Sequence, residues 1–492
     1  MTFEHDCRRH IARRGFLADI GMGFTGLALG AMLHRDGVAR AATLDWRPPD
    51  GKPHFAPKAK RVIWLFMIGG VSHMETFDPK PELNKYAGRS LPETPYRHTL
   101  ENPLVKKNLR ELIAGLHKNH PMLYPLQVGF SKRGQSGIEV SDWWPHVSEC
   151  IDDIAVIRSM WTTDNNHGAQ MQFHTGRHVL EGQFPTIGSW VHYGLGSLND
   201  NLPQFVVLGE PIDTCCGGVA AHGAAYLGPE HNGVQLAVRP EDPLPFATPA
   251  SGLTGEAQKS EFELISELNR ISAVEYPDDA AMKARIKSYE LAFRMQTAVP
   301  EVMRFSHESE AVKRLYGIDQ EVTRPFGEMC LAARRLAESG VRFIQVFHGQ
   351  NGGAGKWDAH SNLKKGHTEL CAQVDKPIAG LLQDLKQRGL LQDTLVVFAT
   401  EFGRTPGAQG TNGRDHHPYG FSVWMAGGGI KGGVIEGATD EIGFHAVENR
   451  HYVTDLHATV LHQLGLDPRK LEVPGRKRLD IDFGIPMKGI IA

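Results

Sequence analysis

The stretch Thr394–Thr400 (TLVVFAT) restricts the possible folds more than any other in the chain. It is a short apolar run rich in β-branched residues and follows a helix-like segment that stops at Gly389, so it reads as a strand buried on both faces of a parallel sheet. The helix before it carries Val374, Ile378, Leu381, Leu382 and Leu385 on one face with a period of about 3.6, and Arg388 and Gly389 close it. Upstream, Val341–Phe347 (VRFIQVF) is another strand, followed by the glycine-rich loop HGQNGGAGKWDAH. Strand, loop, helix and strand in that order form a βαβ unit with a right-handed crossover, which commits the chain to the α/β class.

Further strands are expected at 61–68, 154–160, 204–208 and 421–426, with helices at 140–150, up to about Gly196, and at 454–464. Leu291, Met295 and Ala298 form a modest apolar stripe that reads as core packing. A chain of 492 residues suits one large α/β domain with insertions, or two domains. The segment 84–137 is irregular and looks like an excursion over the site, and 209 to about 260 is rich in Gly, Pro and Ala with weak periodicity. A net charge of -3, from 53 basic and 56 acidic residues, gives no reason to expect nucleic acid as a partner.

The N-terminus reads as a leader. Arg13, Arg14, Phe16 and Leu17 form an RRxFL pattern, an uncharged apolar stretch runs from Ile20 to Leu33, and Ala39-Arg40-Ala41 follows. This resembles a twin-arginine export signal cleaved after Ala41, leading to a proline- and lysine-rich linker at 42–60 and a periplasmic or extracellular location. The apolar stretch is shorter than the roughly 20 residues a membrane span requires, so no span is expected once the signal is removed. The remaining cysteines are Cys150, Cys215, Cys216, Cys330 and Cys371; an odd number without CxxC spacing specifies no disulfide.

In α/β sheets chemistry collects past the carboxyl ends of strands. Four such ends carry polar clusters: Ser72 to Asp78, with His73, after a Gly-Gly pair; Thr162 to His167; Asp358 to His367; and Glu401 to His417. Asp358, His360, Glu401, Asp415 and His416 make a hard-to-borderline ligand set for a divalent metal, with Zn, Ca and Mg all open. Arg404 and Arg414 are suited to hold an anionic group by paired hydrogen bonds. His167 lies on the face of a short helix whose N-terminus, Thr162 to Asn166, attracts anions. With 25 histidines in the chain, lone ones such as His174, His222 or His445 read as structural.

Six segments carry a family resemblance: GGVSHMETFDPKP (69–81), SMWTTDNNHGAQMQFHTG (159–176), YELAFRMQ (289–296), WDAH (357–360), LVVFATEFGRTP (395–406) and GRDHHPYGFS (413–422). On these the chain resembles the DUF1501 family of exported bacterial proteins, common in planctomycetes, which belongs with the alkaline phosphatase and sulfatase superfamily. The resemblance implies a three-layer α/β/α sandwich with a mostly parallel central sheet over 61–490, an insertion at about 209–320, and a metal-dependent hydrolase of sulfate or phosphate esters, small or on polysaccharide. In the superfamily register Glu401 takes a metal-ligand Asp position and Phe402 stands where a His or Asn ligand is expected. Asp358 with His360, or with His367, resembles the ligands before the preceding helix, and His416 the late His ligand. Asn166 falls where sulfatases carry the Cys converted to formylglycine, and no C/S-x-P-x-R motif occurs. Thr163 (or Thr162) is then the candidate nucleophile, His167 and Arg404 its catalytic company, and His73, Asn166 and Arg414 the substrate contacts. Three readings follow: an active ester hydrolase, a pseudo-enzyme that keeps a metal or anion site for binding or assembly, and histidines that only cap loops.

Overall fold

Alternation along one strand divides the interior in two. In Arg61–Met67 (β1) the side chains of Ile63, Leu65 and Met67 enter one apolar cluster, and those of Val62, Trp64 and Phe66 enter another on the opposite face. Each fully buried aliphatic contributes about 1.5–3 kcal/mol, so a strand buried on both faces is a strong organising element. The computed structural model describes residues 49–103, 109–111, 115–239, 260, 263–265, 267 and 280–492. The expected export signal, the start of the linker (42–48), part of the 209–320 insertion and the Cys215 side chain lie outside the described residues. Pro49–Ala492 forms one compact unit.

The other strands of the main sheet are Ile154–Trp161 (β2), Phe205–Leu208 (β3), Val234–Leu236 (β4), Phe343–His348 (β5), Thr394–Ala399 (β6), Phe421–Ala426 (β7), Val434–Glu436 (β8) and His451–Tyr452 (β9). Their order is β8-β2-β7-β6-β1-β5-β3-β4, with β9 also pairing β2. β7 is antiparallel to both neighbours, β2 and β6, while every other pairing in this sheet is parallel.

Helices cover both faces. Ala169–Thr175 (α1), Ile187–Leu195 (α2) and Val453–Gln463 (α7) enclose the cluster around Trp64, whereas Arg324–Glu338 (α5) and Leu363–Gln387 (α6) enclose the cluster around Leu65. Ala280–Val302 (α3) and Glu310–Leu315 (α4) precede α5, and Met295 of α3 is buried against the Leu65 cluster. The fold is therefore a three-layer α/β/α sandwich with a mixed, mostly parallel sheet. Segment 140–150 departs from the expected helix: Ile138–Ser141 pairs with Phe130–Arg133 as a hairpin, and a 3-10 stretch begins only at Val147. Pro145 removes a donor and biases its predecessor away from helical geometry, which breaks the period there. Among the described residues no helix is long and apolar enough to cross a membrane. Cys150, Cys216, Cys330 and Cys371 are buried.

Several histidines are built into this interior. Burial lowers His174 to about 3, His348 to about 4 and His457 to about 4, and His457 Nε2 donates to the Phe173 carbonyl at 2.7 Å. A histidine held neutral in the fold and free to protonate when unfolded stabilises the native state above its ordinary pKa. That contribution is lost as pH falls toward the folded value, because the unfolded chain then binds more protons. Burial raises Asp164 to about 7 and Asp375 to about 6, and these act in the opposite direction. A difference measurement isolates the histidine: between about pH 7 and 4.5, His457→Gln should lose less stability than the parent chain, by on the order of 2–3 kcal/mol, in urea titrations at each pH.

Candidate metal centre

The polar clusters meet at one rim of the sheet. β1, β2, β5 and β6 all end there, and because β7 runs the other way, the residues just before it arrive at the same edge. Two glycines make the approach possible. Gly69, at φ +122°, sits so close to the 357–358 backbone that a Cβ would lie 2.5 Å from Asp358 N, and a Cβ at Gly413 would lie 1.9 Å from the His360 carbonyl oxygen. Segment 413–417 thus presses onto the loop carrying Asp358 and His360.

Two groups of donors form. His117, His360, Asp415 and His416 make one; His167, Asp358 and His416 make the other; within each, the donor atoms all lie within 4.8 Å of one another. Asp358 is the link, with Oδ1 3.0 Å from both His360 Nε2 and His416 Nε2, and Oδ2 3.3 Å from His167 Nε2. Ligands at about 2.0–2.2 Å around a tetrahedral ion stand roughly 3.3 Å apart, so these separations are those of a ligand shell. Ring orientation is set from behind: His416 Nδ1 donates to the Asn165 carbonyl at 2.8 Å, and His167 Nδ1 donates to Glu401 Oε1 at 3.0 Å. Each bond leaves the Nε2 lone pair facing Asp358.

Glu401 therefore stands one hydrogen bond behind the donors. Fully buried, it accepts from Gly69 N at 2.9 and 3.1 Å, from Gln170 Nε2 at 3.0 Å and from Thr400 Oγ1 at 3.2 Å. Phe402, in the position where a ligand was expected, packs its ring against His416 with centroids 4.3 Å apart. Arg404 is fully buried and spends its guanidinium on protein oxygens: Asp358 Oδ1 at 2.8 Å and the carbonyls of Gly69, Gly70, Trp357 and Arg414. Arg414 likewise pairs with Glu75 Oε1 at 2.7 Å and with the carbonyls of Tyr124, Pro125, Thr405 and Pro406. His73 donates from Nε2 to the Gly443 carbonyl at 2.9 Å and belongs to neither donor group. His367 Nε2 accepts from Ser72 N at 3.1 Å. The Asn166 side chain accepts from His167 N at 2.7 Å, and Thr163 Oγ1 accepts from Gln172 Nε2 at 2.7 Å.

The expected excursion over the site supplies one donor, His117, and a second histidine, His120, that steadies Asp415; no strand-end search could find either. Asp415 Oδ1 is 2.7 Å from His117 Nδ1, and Asp415 Oδ2 is 3.0 Å from His120 Nε2. Their only sequence signal is two histidines three apart in an otherwise irregular segment. Burial acts to raise both site aspartates. For Asp358 it is outweighed by the Arg404 guanidinium and the surrounding imidazoles, and for Asp415 by His117, His120 and two backbone amides, so both carboxyls stay well below their usual range. Burial, with His167 and Arg404 nearby, holds His416 well below an ordinary imidazole.

Residues 59–481 match a family described as proteins of unknown function, DUF1501. The chain belongs to the DUF1501 family. No curated protein matches it. Among solved structures, this DUF1501 chain is similar to a sulfatase from Pseudoalteromonas sp. (13% identity, 88% of this chain and 72% of that one, TM-score 0.35). It is also similar to a phosphonate monoester hydrolase from Silicibacter pomeroyi (12%, 70% and 71%, TM-score 0.35). A third is a protein in the alkaline phosphatase superfamily from Vibrio parahaemolyticus (10%, 90% and 72%, TM-score 0.37).

The donor set of the DUF1501 chain fits a divalent ion on its own terms. His167 Nε2 is buried and makes no hydrogen bond, an orphan that a cation would satisfy. Imidazoles mixed with carboxylates suit zinc and its transition-metal neighbours better than calcium or magnesium, which favour oxygen-only shells. Removing Glu401 leaves every donor atom in place but frees the His167 ring. Glu401→Gln should therefore weaken metal affinity by about 10–100-fold, and Asp358→Ala by more, in competition titrations against a metal-binding dye.

Proposed function

We propose that this chain is an exported, divalent-metal-dependent hydrolase of sulfate or phosphate esters. The observation that carries the reading is the meeting at one sheet rim of two donor groups that share His416, one with His117, His360 and Asp415 and the other with His167 and Asp358, drawn from segments far apart in sequence. Export rests on the RRxFL leader of the sequence. A divalent ion held by these donors would supply Lewis-acid polarisation of the ester oxygen and lower the pKa of a coordinated water.

The chain's own residues do the rest. Glu401 and the Asn165 carbonyl hold His167 and His416 in one tautomer, and Arg404 keeps Asp358 ionised and aimed. His360, with a third of its side chain exposed, marks the open side through which an ester would enter. The nearby hydroxyls are engaged elsewhere: Thr162 donates to Gln172 Oε1, Thr163 accepts from Gln172, Ser72 pairs with Glu75, and Thr405 donates to the Gly407 carbonyl. Hydrolysis in this reading is direct attack by water on sulfur or phosphorus, without a covalent ester to the protein.

The same saturation favours a second reading, a pseudo-enzyme in which the centre binds or assembles without turnover, because both buried arginines already hold protein oxygens. Metal-loaded protein offered a panel of aryl sulfate and phosphate esters separates the two. The hydrolase reading expects turnover that falls at least about 100-fold in kcat/KM in Asp358→Asn and His416→Ala. Metal bound stoichiometrically with no turnover across the panel assigns the pseudo-enzyme, and protein from its native compartment that holds no metal sinks both.

A further inference from the structure

Residues 115–119 form a strap beside the metal centre, and its attachment differs from that of the chain on either side. Downstream the backbone is tied firmly: Leu91 N donates to the Pro121 carbonyl at 2.8 Å, Ala408 N to the Met122 carbonyl at 2.8 Å and Tyr124 N to the Pro406 carbonyl at 3.0 Å. Upstream, Arg110 N donates to the Thr163 carbonyl at 2.6 Å. Between those ties, among the described residues, no backbone–backbone hydrogen bond reaches 115–119. Leu116 is half exposed, and a Cβ on Gly115 would meet nothing within 4 Å. Asn119 bonds the Tyr419 hydroxyl at the strap's downstream foot.

The centre of the strap hangs on one carboxylate. Asp415 Oδ1 accepts from His117 Nδ1 at 2.7 Å, and Oδ2 accepts from Lys118 N at 3.1 Å and from His120 Nε2 at 3.0 Å. The His117 ring stacks on His416, with centroids 3.9 Å apart, and lies 5.8 Å from His360, whose side chain is exposed to a third. Of the donor group His117, His360, Asp415 and His416, only His117 comes from the strap; the group His167, Asp358 and His416 takes nothing from it. A segment with so few ties opens locally at low free-energy cost, and a ligand that contacts only its seated form shifts it toward that form.

We infer that a bound divalent ion fastens this strap through His117, so that ion occupancy controls access to the centre past His360. Fastening rests on the metal centre proposed above and not on its turnover. The coupling is reciprocal: an ion that holds the strap down is itself held more tightly by the seated strap. Lys118, exposed and outside both donor groups, makes seating measurable, because trypsin cuts the bond after it only when the strap lifts.

The test is limited trypsin digestion of the full chain, metal-free and zinc-loaded, with the fragment that begins at Asn119 followed by mass spectrometry. Zinc should slow cleavage after Lys118 about five-fold or more. His117→Ala should still bind zinc through the remaining donors, more weakly, and should be cut equally fast with and without it. His120→Ala, which loses a contact to Asp415 but no donor, should keep the zinc-dependent slowing. Hydrogen exchange of amides 115–119 in the parent chain gives the same reading without a variant, as protection that rises with zinc. Stoichiometric zinc with no slowing and no added protection, or slowing that persists in His117→Ala, overturns the fastening and leaves the metal centre standing. A chain that binds no zinc overturns both, whereas a zinc-fastened strap without ester turnover sustains the fastening and sinks the hydrolase reading alone.

Discussion

A charged group taken out of water must find its counter-charge and its hydrogen bonds in the protein, and the rim of this sheet is arranged around that requirement. Asp358, the hinge between the two donor groups, is held by Arg404, whose guanidinium also ties down four backbone carbonyls. Arg414 does the same for Glu75 and the strap over the site. Replacing such pairs by apolar groups is often neutral for stability, whereas removing one partner costs about 3–5 kcal/mol. Their value here is positional: the two arginines stitch the loops after β1, β5 and β6 to the segment before β7, and the donors stand where those stitches put them.

The fold was readable because its signals are local. Buried strands such as Thr394–Ala399 announce themselves by composition, and the helix 363–387 by period, and the observed bounds of both lie within a few residues of expectation. The direction of β7 left no such mark, since an apolar strand reads alike in either orientation; only pairing shows that it opposes β2 and β6. Pro145 was visible in 140–150, yet the apolar residues around it imitated a short helix.

At the candidate site, residue types were legible and their rank was not. Glu401 and His167 each stood out after a strand, but nothing in spacing says that the carboxylate lies behind the imidazole; that order follows from Gly69 offering its amide to Glu401. Arg404 and Arg414 looked like anion holders because a guanidinium offers paired hydrogen bonds to an anionic group. Their burial, visible only in three dimensions, turns them inward. His117 and His120 lie in a stretch without periodicity, where the sequence offers no register from which to place a side chain.

The reversed strand has a further consequence for how this architecture tolerates change. Since β7 begins at the chemical edge, it delivers the glycine-rich turn that follows it, Gly427 to Gly433, to the opposite edge of the sheet. Length variation or a fused module in that turn is thereby insulated from the donors by the full height of the strand. The same amount of chain added ahead of Phe421 would displace His416 directly.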